Sequence, residues 1–192
     1  MKFKETEYYD EIFENINLQE EILESKEFDN CTFKNCIFAE TTFQYCKFIT
    51  CSFENCDLSL LKVKSSVFND VRIKECKAIG IDWSLCDKLF AVTFDSSNIN
   101  MSSFYSVNLI HSKIISCLAN EVDFSQSNLE VVDFQDTDLL HSTFNNTNLK
   151  CTDLSMARNY LIDPEFNNLK KTKVSIHEAT SFLQFLDLDI VD

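Results

Sequence analysis

Large apolar residues recur at every fifth position along most of this chain. The run begins at Phe28 and passes through Phe33, Phe38, Phe43, Phe48, Phe53, Leu58, Val63, Phe68, Ile73 and Ala78 to Trp83. The count slips by one residue within 84–93. It resumes at Phe94 and continues through Ile99, Phe104, Leu109, Ile114, Ala119, Phe124, Leu129, Phe134, Leu139, Phe144 and Leu149 to Leu154. Twelve of the 18 phenylalanines sit in this register, too many for chance. A second register, two residues earlier, holds mostly small or β-branched side chains, among them Cys31, Cys36, Cys46, Cys51, Cys56, Cys76, Cys86 and Cys117.

A period of five fits neither ordinary element. On an α-helix a step of five turns the chain by about 140°, which would spread the phenylalanines around every face. On one flat strand an odd step flips each side chain to the opposite surface. The conflict disappears if the chain turns a corner after each unit. A step of two is then the alternation along a short face, a step of three crosses the corner, and every large residue points inward. Short faces wound into a coil make a solenoid, each turn bonded to the next about 4.8 Å away. The pattern therefore predicts an all-β, parallel β-helical fold over 28–154.

The two ends read differently. Residues 1–27 are acidic and weakly periodic, although Phe13, Leu18 and Leu23 keep the phase of Phe28. They predict an irregular N-terminal cap with a loop around 19–27. In the C-terminal segment, 155–192, Ser175-Ile176-His177-Glu178 has the form of a capping box. It opens an expected helix over 176–186, with Ile176, Ala179, Phe182, Leu183 and Leu186 on one face and Phe185 off it. So many apolar residues on so short a helix exceed what an end cap needs. A symmetric dimer through Phe182, Leu183, Phe185 and Leu186 is expected.

Composition narrows the chemistry. A single glycine, Gly80, leaves no room for a dinucleotide fingerprint, a P-loop or a nucleophile elbow. The same scarcity suggests corners made from ordinary backbone conformations with few positive φ angles. A net charge of −14 argues against nucleic acid and anionic membranes as direct partners. No apolar stretch approaches the length of a membrane span, no signal peptide opens the chain, and nine cysteines read as reduced thiols, so a cytoplasmic location is expected. Cys31-x4-Cys36 and Cys46-x4-Cys51-x4-Cys56 superficially fit zinc spacing, but a five-residue repeat produces them automatically. His111, His141 and His177 belong to no metal or triad motif. No catalytic residue, metal or cofactor is expected, since a core filled with phenylalanine leaves no cleft for a substrate.

The units Val122-Asp123-Phe124, Val132-Asp133-Phe134, Thr147-Asn148-Leu149 and Thr152-Asp153-Leu154 resemble the pentapeptide repeat. That resemblance implies a right-handed quadrilateral β-helix with four units per turn, hence six to seven turns and a rod of roughly 31 Å. The ending ARNYLIDPEFNNLKKTKVSIHEATSFLQFLDLDIVD looks like that of the quinolone-resistance (Qnr) branch and its McbG and MfpA relatives. For that branch the resemblance implies a dimer through the C-terminal helix and an acidic rod that mimics DNA on a type II topoisomerase such as gyrase. Candidate contacts are Asp123, Glu130, Asp133, Asp136 and Asp138, in a stretch free of Lys and Arg between Lys113 and Lys150. Residues 62–77 are basic by comparison. The other reading is a structural scaffold whose partner is unrelated to DNA enzymes.

Overall fold

Each five-residue unit lays down one short strand or bridge and then turns. In the computed structural model, which describes residues 3–186, these pieces build four parallel ladders. The first face stacks Glu7–Tyr9, Glu27–Asp29, Lys47–Ile49, Val67–Asn69 and Lys88–Phe90. The second stacks Ile12–Glu14, Thr32–Lys34, Ser52–Glu54, Arg72–Lys74, Thr93–Asp95 and Lys113–Ile115. Isolated bridges such as Asn17 to Ile37 and Ile37 to Asp57 form the third face, and Ile22–Glu24 on Thr42–Gln44 starts the fourth. A partner offset of 20 residues means four units per turn. The second-face ladder runs unbroken from Ile12 to Lys173, giving about eight turns. Eight rises of 4.8 Å make a rod of roughly 38 Å, longer than the repeat count implied.

Both registers of the pattern point inward. Phe28, Phe48 and Phe68 stack at ring separations of 5.2 and 5.0 Å, and Phe33 stacks on Phe53 at 4.7 Å. The smaller register faces the preceding coil. Cys31 donates its thiol to the Tyr8 carbonyl at 3.5 Å, Cys46 to Leu23 at 3.2 Å and Thr41 its hydroxyl to Leu18 at 2.6 Å. A small donor is needed there because the next backbone lies directly above.

Corners correct one expectation. Positive φ is not rare: it occurs at almost every fifth residue, as at Asn30, Asn35, Glu40, Tyr45, Thr50 and Asn55. Most of these residues are held by their own N–H, which donates to the next coil (Asn30 to Ile49 at 3.0 Å, Glu40 to Ser59 at 2.8 Å). The ladder thus imposes a conformation that a free L-residue avoids, and glycine is dispensable.

The one-residue slip is a 21-residue offset, Phe68 pairing with Leu89 instead of residue 88. A 3₁₀ turn at Trp83–Leu85, capped by Asp82, absorbs the extra residue. Cys86 consequently leaves the inward register and is half-buried.

The regular coil also starts earlier than the sequence pattern suggests. Glu7–Tyr9, Ile12–Glu14 and Ile22–Glu24 are strands of a first turn, and Leu18 and Leu23 are buried. Its smaller register reads Glu11, Ile16, Glu21 and Lys26 because no coil precedes it to receive a small donor. Phe3 closes this open end, packing edge-on against Tyr8, Phe13 and Phe28 at 5.0–5.5 Å. At the other end Ser175 caps a single α-helical turn, Ile176–Ala179, which continues as a 3₁₀ helix, Thr180–Phe185. The expected helix over 176–186 is therefore only partly α.

Candidate functional site

Among the described residues the interior is packed with side chains. Side chains of both registers form one continuous buried cluster, and the cavities found are shallow surface grooves. Among the described residues no group of three or more His, Cys, Asp and Glu could hold a metal ion. His111 sits at a positive-φ corner with its ring against Phe90, His141 occupies another such corner, and His177 lies on the terminal helix. All nine thiols are free; burial pushes Cys46 up to about 11 and Cys51 and Cys117 up to about 12, so these are unreactive core groups. What remains is the outer surface.

The five acidic candidates do not form one patch. Asp123 lies on the fourth face, Asp133 on the second and Asp138 on the third, with Glu130 and Asp136 beside the corners that join them. Most of them serve the fold. Asp123, Asp133 and Asp138 each accept the backbone N–H two residues on, from Ser125 (2.9 Å), Gln135 (3.0 Å) and Leu140 (3.3 Å). This is an Asx turn that starts each corner, which explains an acid or amide just before the large residue. Asp138 also pairs with Arg158 at 3.2 Å, and Glu130 with Lys150.

Those cations stand 20 residues after their acids, directly above them in the next coil. Lys47 pairs with Glu27 (2.9 Å), Lys77 with Asp57 (3.8 Å) and Lys173 with Asp153 (2.7 Å) by the same rule. The sequence count of charges misses this neutralisation, yet it becomes legible once charges are read at a period of 20. Negative charge is instead least compensated on the first coil. There Glu5, Glu7, Asp10, Glu11, Glu14, Glu20, Glu21 and Glu24 are accompanied, among the described residues, only by Lys4 and Lys26. None of these acids forms an ion pair among the described residues. The rod is most acidic at its N-terminal end, opposite to the polarity that the stretch 121–138 suggests.

The residues expected to dimerise separate into two groups. Phe182 is half-buried and lies with Pro164, Leu169 and Val174 against the last coil, while Phe185 faces a groove shared with Phe144 and Phe166. Leu183 and Leu186 are exposed. Ile176, expected on the same apolar face of the helix as Phe182, points to solvent at 92% exposure.

Comparison with known proteins agrees with this geometry. The family description "Pentapeptide repeat region" matches residues 26–104 and "Pentapeptide repeats (8 copies)" matches residues 127–158. Together the two stretches take in more than half of the chain. It belongs to the pentapeptide-repeat family. Among solved members, a trypsin-treated form of QnrB1, a plasmid-mediated fluoroquinolone resistance protein, is similar in fold. It is 16% identical with a TM-score of 0.55, covering 94% of this chain and all of the other. HetL, a pentapeptide-repeat protein involved in heterocyst differentiation regulation in the cyanobacterium Nostoc, is 10% identical. Its TM-score is 0.49 over 90% of this chain and 88% of its own. No curated protein sequence matches. As a pentapeptide-repeat rod it departs from the uniform pattern at Trp83–Leu85 and at 159–167, between the last third-face bridge and the next rung. Among the described residues no helix is long and apolar enough to cross a membrane.

Proposed function

We propose that this protein is a non-enzymatic, cytoplasmic rod that binds a type II topoisomerase such as gyrase at its DNA-binding surface. The observation that carries this reading is a filled core in a chain of net charge −14, with no charged side chain buried among the described residues. A solid rod cannot enclose a substrate, so its work is done by its exterior. An acidic exterior favours a basic groove, and long-range attraction speeds such an encounter at low salt. The full-length likeness of fold to a fluoroquinolone resistance protein supports this partner over an arbitrary basic protein. The contact charge comes more from the first coil and from unpaired Asp133 and Asp136 than from Glu130 and Asp138, whose charges are met by Lys150 and Arg158.

The active form is a homodimer through the C-terminal helix, with exposed Leu183 and Leu186 at the contact and Phe182 and Phe185 beneath. Leu183→Asp with Leu186→Asp is expected to halve the mass in solution while leaving the circular dichroism of the coil unchanged. An unchanged mass would refute the dimer.

One observation favours a partner unrelated to DNA enzymes: the carboxylates of the stretch 121–138 are largely engaged within the fold. A supercoiling assay with purified gyrase, with and without ciprofloxacin, distinguishes the two readings. Inhibition or rescue supports the first, and neither effect together with no binding at low salt leaves the scaffold reading.

A further inference from the structure

The corner between the third and fourth faces is unlike the others. Its positive-φ residues are, coil by coil, Glu20, Glu40, Leu60, Gly80, Met101, Glu121 and His141. At an exposed corner of this kind asparagine or glycine relieves the backbone, as Asn15, Asn35 and Asn55 do on the second face. Leu60 and Met101 carry a Cβ in the disfavoured region and also leave 51% and 61% of their surface in water. Neither the backbone nor the core gains from them. Tyr45 and Val131 combine the same two features singly at other corners; here two such residues share one edge, and that edge points outward, to a contact.

The single glycine of the chain belongs to the same feature. A Cβ at Gly80 would stand 2.8 Å from Leu60 Cδ2, so the absence of a side chain lets Leu60 lie along the corner. Leu60, Gly80 and Met101 thus form a smooth apolar edge three coils long. A groove of about 300 Å³ runs beside it, lined by Leu60, Leu61, Gly80 and Leu85, with Lys62 and Asp82 on its fourth-face wall.

Charge specifies the occupant. Glu40 and Glu121 bracket the apolar edge and have no cation within ion-pair distance among the described residues. The third face's own cations, Lys77 and Arg158, are committed to Asp57 and Asp138. Four coil steps separate the two glutamates, roughly 19 Å. We propose that this corner docks a protein surface that presents an apolar centre between two cationic groups about 19 Å apart. A second copy is a poor occupant. Packed antiparallel across this corner with Leu60 on Met101, it would set Glu40 of each copy against Glu121 of the other and oppose like charges. The proposal goes beyond the topoisomerase reading and does not depend on it.

The test uses the full chain and a labelled synthetic helix with lysines at both ends, about 14 residues apart so that both lie on one face, and leucines between them on that face. Fluorescence anisotropy at low salt is expected to show binding to the wild type and at least tenfold weaker binding to Leu60→Asn/Met101→Asn. Glu40→Gln/Glu121→Gln should weaken binding and flatten its salt dependence. The Leu60→Asn/Met101→Asn variant should melt no lower than the wild type. Absence of binding by the wild type, unchanged binding by the variants, or a melting temperature lowered as for a core residue would each overturn the proposal. So would a free protein that is dimeric only while Leu60 and Met101 are present, which would make the corner a self-interface.

Discussion

At the scale of the residue, the fold rests on a conformation that most side chains avoid. Asn30, Asn35 and Asn55 suit positive φ, but Thr50 and Val131 are β-branched residues for which it is a genuine outlier. Val131 is also half exposed, so nothing packs against it in return. Val131→Asn should therefore stabilise the protein by about 1 kcal/mol, read as a higher urea midpoint at constant m. Charge acts at the same scale. Lys173 and Ser155 hold the Asp153 carboxyl below its ordinary range. A depressed folded value means stability that is complete above about pH 4 and lost as pH falls through the lowered one. Asp153→Asn keeps the Asx turn to Ser155 and removes only the charge. The variant should be destabilised by about 0.5 kcal/mol at pH 7, small because the pair is partly exposed, and the difference should vanish by acid titration. Thiol chemistry follows burial: Cys151, half-buried at a corner, should react with a disulfide reagent in the folded protein well before Cys46, Cys51 or Cys117.

Elements here are made by their neighbours. No three-residue strand is stable alone, and each exists because the coils on either side complete its hydrogen bonds. The five-residue register made the repeated corners, the inward phenylalanines and the slip near Trp83 legible, because each depends only on spacing. The first coil was harder to read. Its large register was visible in Phe13, Leu18 and Leu23, but Glu11, Glu21 and Lys26 broke the smaller one for a reason that lies in the third dimension. The corner conformation was misread because glycine scarcity reports what a residue prefers, whereas the ladder bonds dictate what it adopts. The terminal helix was legible from its capping box but not its inward side, which Phe182 and not Ile176 supplies. The N-terminal end depends on one aromatic plug, Phe3. Phe3→Ala should cost about 3 kcal/mol and speed amide exchange in the first coil while leaving the central coils protected.

For the whole molecule, cross-coil pairing redistributes a charge that composition reports only as a sum. Acids at 27, 57, 130, 138 and 153 are answered 20 residues later, leaving the first coil and the corner from Glu20 to Glu121 as the open negative features. The candidate contacts at 123–138 were legible as outward positions but not as partly neutralised ones, since pairing becomes visible only when the turn length is known. The rod is filled from Phe3 to Leu154, and on the proposed reading a basic DNA-binding groove matches the sign of its outer field. The direct measurement is supercoiling by purified DNA gyrase titrated with this protein at low and high salt, with and without ciprofloxacin. Binding at the enzyme's DNA site predicts inhibition, or relief of the drug's effect, at low salt and its loss at high salt. Supercoiling and drug response that stay unchanged, with no complex formed at low salt, would contradict it.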